Sequence, residues 1–167
     1  LSMINKLQDV GGVQALILAP TRELVLQIES VLKQMKLPFK VNASYGGHKF
    51  SIERGNFTEP PSILVGTPGR IQDHINRNTI DLKSIKYLIF DEFDKSLEFG
   101  FTEQMEAIRR NIPRLKSQIL VSATNSLEIP EYLNFKAYHT LDFTTSEENK
   151  LTLKQIIVPK DEKPEGL

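Results

Sequence analysis

Short, mostly apolar runs alternate along this chain with stretches of helical periodicity. Residues 15–19, 62–65 and 118–121 have the length of strands and are too short for independent helices. The unbroken apolar character of 15–19 is typical of a strand covered on both faces. Residues 24–35 and 101–112 repeat apolar side chains every three or four positions, as amphipathic helices do. The alternation predicts an α/β fold with an open, mostly parallel sheet and helices on both faces.

The remaining predicted elements continue the same alternation. They are the end of a helix at 1–7, strands at 41–45, 85–90 and 138–143, short helices at 50–54 and 127–133, and a helix beginning near Pro68. Thr21 is a natural N-cap for the helix that follows the first strand. From residue 144 onward the chain turns polar, so we expect 1–143 to form one domain and 144–167 to begin a linker.

Composition excludes several classes of protein. The chain has 167 residues, enough for one domain with a real core. Lys+Arg and Asp+Glu both number 21, so a nucleic-acid site must be a local feature and not a general basic surface. Because there is no cysteine, disulfides and thiolate metal sites are excluded, which fits a reducing compartment. The sequence has no apolar run long enough to span a membrane and no signal-like start, so we expect a cytoplasmic protein.

Three acids follow the predicted strand that ends at Phe90, namely Asp91, Glu92 and Asp94. In open α/β folds the carboxyl ends of the strands form the edge where ligands bind. One carboxylate there can hold Mg²⁺ through water, and a second can orient or deprotonate an attacking water. That division of labour is what nucleotide hydrolysis needs. A helix cap and a solvated turn are the ordinary alternative for such a cluster.

Other loops after strands carry residues suited to phosphate. These residues are Thr21, Arg22, Gly46, Gly47, Thr67, Gly69 and Arg70. The threonines and arginines begin two predicted helices, whose free N–H groups attract anions, and arginine binds phosphate bidentately. The glycines allow a ligand to approach the backbone closely. Taken singly, each loop is more often a turn or a cap, but together they suit a row of phosphates read without base specificity.

In this order and at this spacing, the motifs resemble those of the DEAD-box ATP-dependent RNA helicases, and the resemblance covers essentially the whole chain. The motifs are PTREL at 20–24, GG at 46–47, TPGR at 67–70, DEFD at 91–94, Phe99-Gly100-Phe101 and SAT at 122–124. The resemblance implies the first of two RecA-like domains of the P-loop NTPase type, with ATP and Mg²⁺ as cofactors of the complete protein. RNA and the second RecA-like domain are then its expected partners.

The resemblance also assigns roles to residues. It implies that Asp91 and Glu92 bind the nucleotide, with Asp91 holding Mg²⁺ through water and Glu92 activating the attacking water. Asp94 would pair with Ser122 and Thr124, coupling the nucleotide site to the RNA edge. The threonines, arginines and glycines of the three phosphate-suited loops would line the path of one RNA strand.

Two departures from the family pattern matter. Phe93 stands where the family has alanine, and a strand-like alternation between Glu92 and Asp94 predicts that it fills the core on the opposite side. The sequence also has no Gly-Lys-Thr phosphate loop, no adenine-recognition glutamine motif and no strand leading into that loop. We therefore expect this chain alone to bind neither ATP nor Mg²⁺, to lack ATPase activity, to bind RNA weakly at best, and to offer an open sheet edge for self-association.

Two other functions fit parts of the sequence. One is a nucleic-acid-binding or regulatory module that no longer hydrolyses nucleotide, which the length of the parent reading frame would distinguish. The other is a doubly wound small-molecule enzyme that uses Asp91 and Glu92 with a metal, although TPGR and SAT are then unexplained. The sequence does not separate RNA from DNA as the polymer bound.

Overall fold

Five parallel strands form a single sheet in the computed structural model, which describes residues 3–8, 10–47, 55, 57–124, 128–135 and 137–143. The strands are β1 (Ala15–Leu18), β2 (Val41–Ser44), β3 (Ile63–Gly66), β4 (Tyr87–Phe90) and β5 (Ser117–Leu120). Their order across the sheet is β2-β3-β1-β4-β5, and every pairing is parallel. The predicted open, parallel α/β sheet is confirmed.

Helices connect these strands. They are α1 (Arg22–Gln34), α2 (Pro68–Asn76), α3 (Phe93–Glu98) and α4 (Thr102–Arg110), with 3-10 helices at Ile4–Lys6 and Glu131–Leu133. Thr21 caps α1 as predicted, since its Oγ1 accepts a hydrogen bond from the Leu24 N–H at 3.2 Å. Pro68 occupies the first turn of α2, where its missing N–H would have no helical partner in any case.

The register of the sheet brings all five strands to an end at one level. Leu18 lies opposite Gly66 on one side and Phe90 on the other. Ser44 in turn lies opposite Gly66, and Leu120 opposite Phe90. The loops that leave these five positions therefore emerge side by side, along what we call the carboxyl edge.

The core consists of two apolar clusters, one for each face of the sheet. Leu16 and Leu18 of β1 belong to a cluster that includes Ile71 of α2 and Met105 and Ile108 of α4. The second cluster takes the alternate residues of β1 and buried side chains of α1, namely Ala15, Ile17, Val25 and Leu32. Helices thus cover both faces, which explains why β1 is apolar throughout.

Some sequence predictions differ from the structure. No helix was expected directly after the acids, yet α3 begins at Phe93. At the start of the chain, the predicted end of a helix is a single 3-10 turn, Ile4–Lys6. The strand predicted at 138–143 is wrong: these residues have no regular structure, and their apolar side chains are solvent-exposed, as for Phe143 at 85%. The helix predicted at 50–54 and the linker at 144–167 lie outside the described residues.

The chain divides into two compact units, Leu1–Phe135 and Lys136–Leu167. The first unit contains every helix and strand of the described residues. Within the part of the chain that the structure describes, no helix is both long and apolar enough to cross a membrane. That residues 144–167 begin a linker stays a prediction.

Candidate functional site

The acids after β4 form a tight turn in which Glu92 has an unusual backbone conformation. The Asp91 N–H donates to the Leu18 carbonyl at 2.8 Å, which extends the β1–β4 ladder by one residue. Glu92 then adopts φ 44° and ψ 54°, the left-handed region that non-glycine residues rarely occupy. Its N–H donates to Asp91 Oδ1 at 3.1 Å. Glu92 is exposed and Asp91 half-buried, so both carboxylates are accessible at the carboxyl edge.

Phe93 and Asp94 both point inward because the chain enters α3 directly after Glu92. Phe93 is 1% exposed and Asp94 is 4% exposed, so the predicted strand-like alternation is wrong. The prediction that Phe93 fills core is confirmed, since its ring packs edge-to-face on Phe90 with centroids 5.6 Å apart. The Phe93 N–H also donates to the carbonyl of Val121, just beyond β5, at 2.9 Å. The turn after β4 is therefore held in place by the segment that follows β5.

The buried Asp94 is joined to the segment after β5 through Thr124. Asp94 Oδ2 accepts from Thr124 Oγ1 at 3.3 Å, whereas Asp94 Oδ1 has no hydrogen-bond partner among the described residues. Within the part of the chain that the structure describes, the Ser122 hydroxyl bonds to Thr124: it donates to the Thr124 carbonyl at 3.0 Å and accepts from its N–H at 3.2 Å. Thr124 therefore contacts Asp94 directly, and Ser122 supports Thr124.

Lys95 is the cation next to the acids along the chain. Its Nζ lies 2.7 Å from Glu98 Oε2, and this hydrogen bond, with the nearby carboxylates, raises the pKa of Lys95. Among the described residues no cation lies within ion-pair distance of Asp91 or Glu92, because Lys95 is paired with Glu98. The negative charge of the turn is consequently available to a bound cation.

The start of α2 lies close against the sheet because β3 ends in glycine. A Cβ on Gly66 would come within 2.6 Å of the Ile71 side chain and 2.8 Å of the Ser44 carbonyl oxygen. The Thr67 N–H donates to that same oxygen at 3.0 Å. Thr67 makes no side-chain cap hydrogen bond, so its hydroxyl remains available at the helix N-terminus. The side chain of Arg70 is only 11% exposed, and its Nη1 lies 4.0 Å from Asp73 Oδ2.

Arg22, the first residue of α1, reaches across the end of β3 to the loop that follows β2. Its guanidinium carbon lies 5.0 Å from the centre of the Tyr45 ring. Gly47, with φ 102°, passes beside it, and a Cβ on Gly47 would lie 3.7 Å from Arg22 Nη1. Neither Gly46 nor Gly69 has an atom within 4 Å of where a Cβ would lie. Arg22 is exposed, so this guanidinium is accessible at the carboxyl edge.

The structure therefore brings every sequence-predicted site residue to one edge of the sheet. Sequence reasoning missed two contributors, Tyr45 and Gly66. Each had a signal, since Tyr45 directly precedes the Gly-Gly pair and Gly66 stands between a strand and Thr-Pro. Neither signal identifies the residue that Tyr45 or Gly66 contacts, because that residue comes from another part of the chain.

The carboxyl edge suits a hydrated cation better than a metal enclosed by protein ligands. Among the described residues, no group of three or more His, Cys, Asp or Glu could hold a metal ion. Asp91 and Glu92 offer oxygen ligands only, and Mg²⁺ commonly uses one or two carboxylates together with water and substrate phosphates. The residues present thus fit Mg²⁺ held jointly with a phosphate ligand.

Comparison with known proteins gives a consistent result. The family model for the DEAD/DEAH box helicase matches residues 1–132. The ATP-dependent RNA helicase CshA of Listeria monocytogenes is 42% identical over 127 residues, which cover 74% of this chain and 24% of that protein. The ATP-dependent RNA helicase DbpA of Bacillus subtilis is 37% identical over 141 residues, covering 77% of this chain and 29% of that protein.

A solved structure agrees in fold. The crystal structure of a DEAD box protein from the hyperthermophile Methanococcus jannaschii superposes with a TM-score of 0.70 at 38% identity, covering 79% of this chain and 36% of that one. The chain spans about a quarter of the length of the relatives named above. Its motifs, its parallel sheet and the family match agree, and the chain belongs to the DEAD/DEAH box helicase family.

Proposed function

We propose that this chain is part of the helicase core of an ATP-dependent RNA helicase, which unwinds or remodels RNA at the cost of ATP. The observation that carries the proposal is the shared carboxyl edge. There the acid turn (residues 91–94) and the three phosphate-suited loops emerge from strands that end in register. The relatives named ATP-dependent RNA helicases support the same activity.

In the nucleotide half of the site, Asp91 and Glu92 have separate tasks. Mg²⁺, when bound with ATP, would neutralise phosphate charge and be held through water by Asp91. Glu92 orients the attacking water and accepts its proton, for which its exposed carboxylate is placed by the turn at Asp91. Because no protein cation forms a direct ion pair with Asp91 or Glu92 among the described residues, these acids repel phosphates unless a bound cation lies between them and the phosphates.

Asp94 and Thr124 link the two halves of the site. Asp94 lies two residues after Glu92 in the chain, and Thr124 lies in the segment after β5. A change in the position of the acid turn would displace Thr124 through its hydrogen bond to Asp94, and Ser122 through its hydrogen bonds to Thr124. We infer that this hydrogen-bonded path carries the state of the nucleotide towards the RNA edge.

On the other half of the edge, one RNA strand would be held by its sugar-phosphate backbone without sequence specificity. Arg22 and Arg70 supply charge, Thr67 supplies a hydroxyl beside the N-terminal N–H groups of α2, and Gly46 and Gly47 allow close approach. Thr21 contributes chiefly as the cap of α1. A second RecA-like domain of the same protein would complete both the nucleotide and the RNA sites.

The RNA half is tested with this chain by measuring its affinity for single-stranded RNA at several salt concentrations. Arg22→Ala and Arg70→Ala should weaken binding to all sequences about equally and reduce the salt slope by roughly one unit each. Arg110→Ala is the matched control, since Arg110 is a 72% exposed arginine paired with Glu106 at the far end of α4. Losses that depended on base sequence would contradict backbone recognition.

The nucleotide half is tested in the complete helicase. Glu92→Gln should preserve nucleotide binding but remove most hydrolysis, because an amide does not accept the proton of water. Turnover that is unchanged in this variant would instead favour the alternative of a binding or regulatory module in which Glu92 has no catalytic task.

We also propose that the isolated chain self-associates through β5. This strand is the last in the sheet, and residues 117–124 contain no charge, proline or glycine to discourage pairing. Ile119 and Val121 are 42% and 48% exposed there. Because the segment is uncharged, two copies can pair without like-charge repulsion.

A further inference from the structure

Tyr45 and Arg22 form a cation–π pair although they follow different strands. Arg22 follows β1 and Tyr45 follows β2, while β3 lies between those two strands. The 5.0 Å separation of the guanidinium carbon from the ring centre is within the range of a cation–π interaction. The contact therefore fixes one loop against another across the carboxyl edge.

The ring of Tyr45 is a suitable support for an arginine. Tyr45 is half-buried and packs against the apolar cluster beneath α1, whereas Arg22 is exposed. An exposed arginine has many rotamers, and ordering them on binding a ligand reduces affinity. A ring anchored in the core would restrict those rotamers before any ligand arrives.

Among the described residues, no hydrogen bond or ion pair uses the guanidinium of Arg22, so its N–H donors are available to a ligand. These donors lie in the plane of the group, where they match the two oxygens of a phosphate. At Gly47 the backbone runs alongside with no side chain, and even a Cβ would approach Arg22 Nη1 to 3.7 Å. Glycine at this position therefore adds no side chain beside these donors.

We propose that Tyr45 is a positioning residue for RNA phosphate, which it serves by holding Arg22 in a binding-ready orientation. This inference rests on the proposed RNA-backbone function and adds a residue to it. Since one face of the ring is already covered by Arg22, Tyr45 acts through the arginine and not by stacking on a base. Its contribution should then be the same whatever the base composition of the RNA.

The test is a double-mutant cycle on the 167-residue chain, with affinity for single-stranded oligouridylate and oligoadenylate measured by fluorescence anisotropy. Tyr45→Phe, which keeps the ring, should bind within about twofold of the wild type. Tyr45→Leu should weaken binding to both oligonucleotides by about two- to fivefold, the range of an exposed cation–π contact. In an Arg22→Ala background, Tyr45→Leu should have no further effect.

Two outcomes of the cycle would overturn the inference. Tyr45→Leu and Arg22→Ala could weaken binding independently, or Tyr45→Phe could be as weak as Tyr45→Leu. Arg22→Lys, which keeps the charge but not the planar group, repeats the test without disturbing the packing of Tyr45. It should lose about as much affinity as Tyr45→Leu, and full affinity in this variant would also count against the inference.

A second measurement separates this inference from the function on which it rests. In the free protein, the side-chain NMR resonance of Arg22 Nε–H should be shifted by the ring, and the shift should persist in Tyr45→Phe and disappear in Tyr45→Leu. An absent shift overturns the cation–π contact itself. If the shift is present but Arg22→Ala binds RNA normally, the phosphate role of this edge fails, and the positioning role fails with it.

Discussion

Glu92 occupies a backbone conformation that glycine adopts freely and that costs other residues on the order of 1 kcal/mol or more. Glu92→Gly should therefore raise the free energy of unfolding of this chain by about 1 kcal/mol, while removing the carboxylate that we assign to water activation. Urea denaturation followed by circular dichroism measures the first effect. A gain in stability with a loss of catalysis in the complete helicase would identify strain retained for function.

Glu103→Gly is the matched control for that substitution. Glu103 is also an exposed glutamate, but it lies in α4 with ordinary helical geometry. Glycine there should lower the free energy of unfolding by about 1 kcal/mol. If Glu92→Gly and Glu103→Gly lowered the free energy of unfolding equally, the backbone conformation of Glu92 would not be strained.

Tyr132 gives the fold a dependence on alkaline pH. Burial, reinforced by the charge of Glu106, raises the pKa of Tyr132 to about 12, against about 10 in an unfolded chain. The stability that this neutral hydroxyl contributes is complete below pH ~10 and is lost as the pH rises through ~12. The unfolding free energy of the wild type should therefore fall between these values more steeply than that of Tyr132→Phe.

At neutral pH the same substitution should be neutral or slightly stabilising. The Tyr132 hydroxyl is buried and has no hydrogen-bond partner among the described residues, so phenylalanine leaves no group unsatisfied. Urea titrations of both proteins across the pH series give both results. A difference between the proteins that did not vary with pH would contradict the raised pKa.

Single residues could be predicted where the cause is local. Thr21 was identified as a cap because its partner, Leu24, lies three positions away. The conformation of Glu92 could not be identified in this way. It follows from the burial of Phe93 and from the hydrogen bond of the Phe93 N–H to the carbonyl of Val121, the residue after β5.

The junction between β3 and α2 depends on the absence of a side chain at Gly66. In Gly66→Ala the new methyl group would meet the Ile71 side chain and the Ser44 carbonyl, which also accepts from Thr67. We expect a loss of about 1–3 kcal/mol in unfolding free energy, as for other overpacked sites, together with displacement of Thr67 from the carboxyl edge. Urea denaturation measures the loss.

Gly69→Ala controls for the change of residue type in the same segment. Gly69 is inside α2, and no atom lies within 4 Å of the position of its Cβ. Alanine there should raise stability by up to about 1 kcal/mol. If Gly66→Ala were equally well tolerated, the close fit of α2 against the sheet would not be needed.

At the scale of elements, sequence patterns predicted strands better than short helices. β1 and β3 were found within about a residue because strands buried on both faces are apolar throughout. α3 has only six residues, too few for a periodic pattern, so the sequence predicts a strand-like alternation from Glu92 to Asp94 in its place. Residues 138–143 have strand-like composition, but a strand also requires a neighbour, which composition does not reveal.

For the whole molecule, β5 predicts association that depends on concentration. Sedimentation velocity of the isolated chain should show dimers or larger species at high concentration. Ile119→Lys should raise the dissociation constant about tenfold or more, because a charge on an edge strand opposes pairing and two copies would place like charges together.

The control for this substitution is Val31→Lys. Val31 is an apolar residue of α1 with a comparable exposure, 53%, but it has no open backbone edge beside it. It should leave the association unchanged. If both variants raise the dissociation constant equally, the association is caused by general surface hydrophobicity and not by strand pairing.

The central position of β1 also bears on synthesis of the protein. Ala15 pairs with Ile63 on one side and Tyr87 on the other, so β1 has no neighbour until β3 has been translated and gains its second neighbour only with β4. At about 5–20 residues per second, this fully apolar strand is unpaired for several seconds on the ribosome. The part-sheet of β2, β3 and β1 can form before β4 exists, and limited proteolysis of arrested nascent chains that expose residues up to Ile80 should already show β1 protected. The acid turn is then added to a sheet whose other half, formed by β2, β3 and β1, has been assembled first.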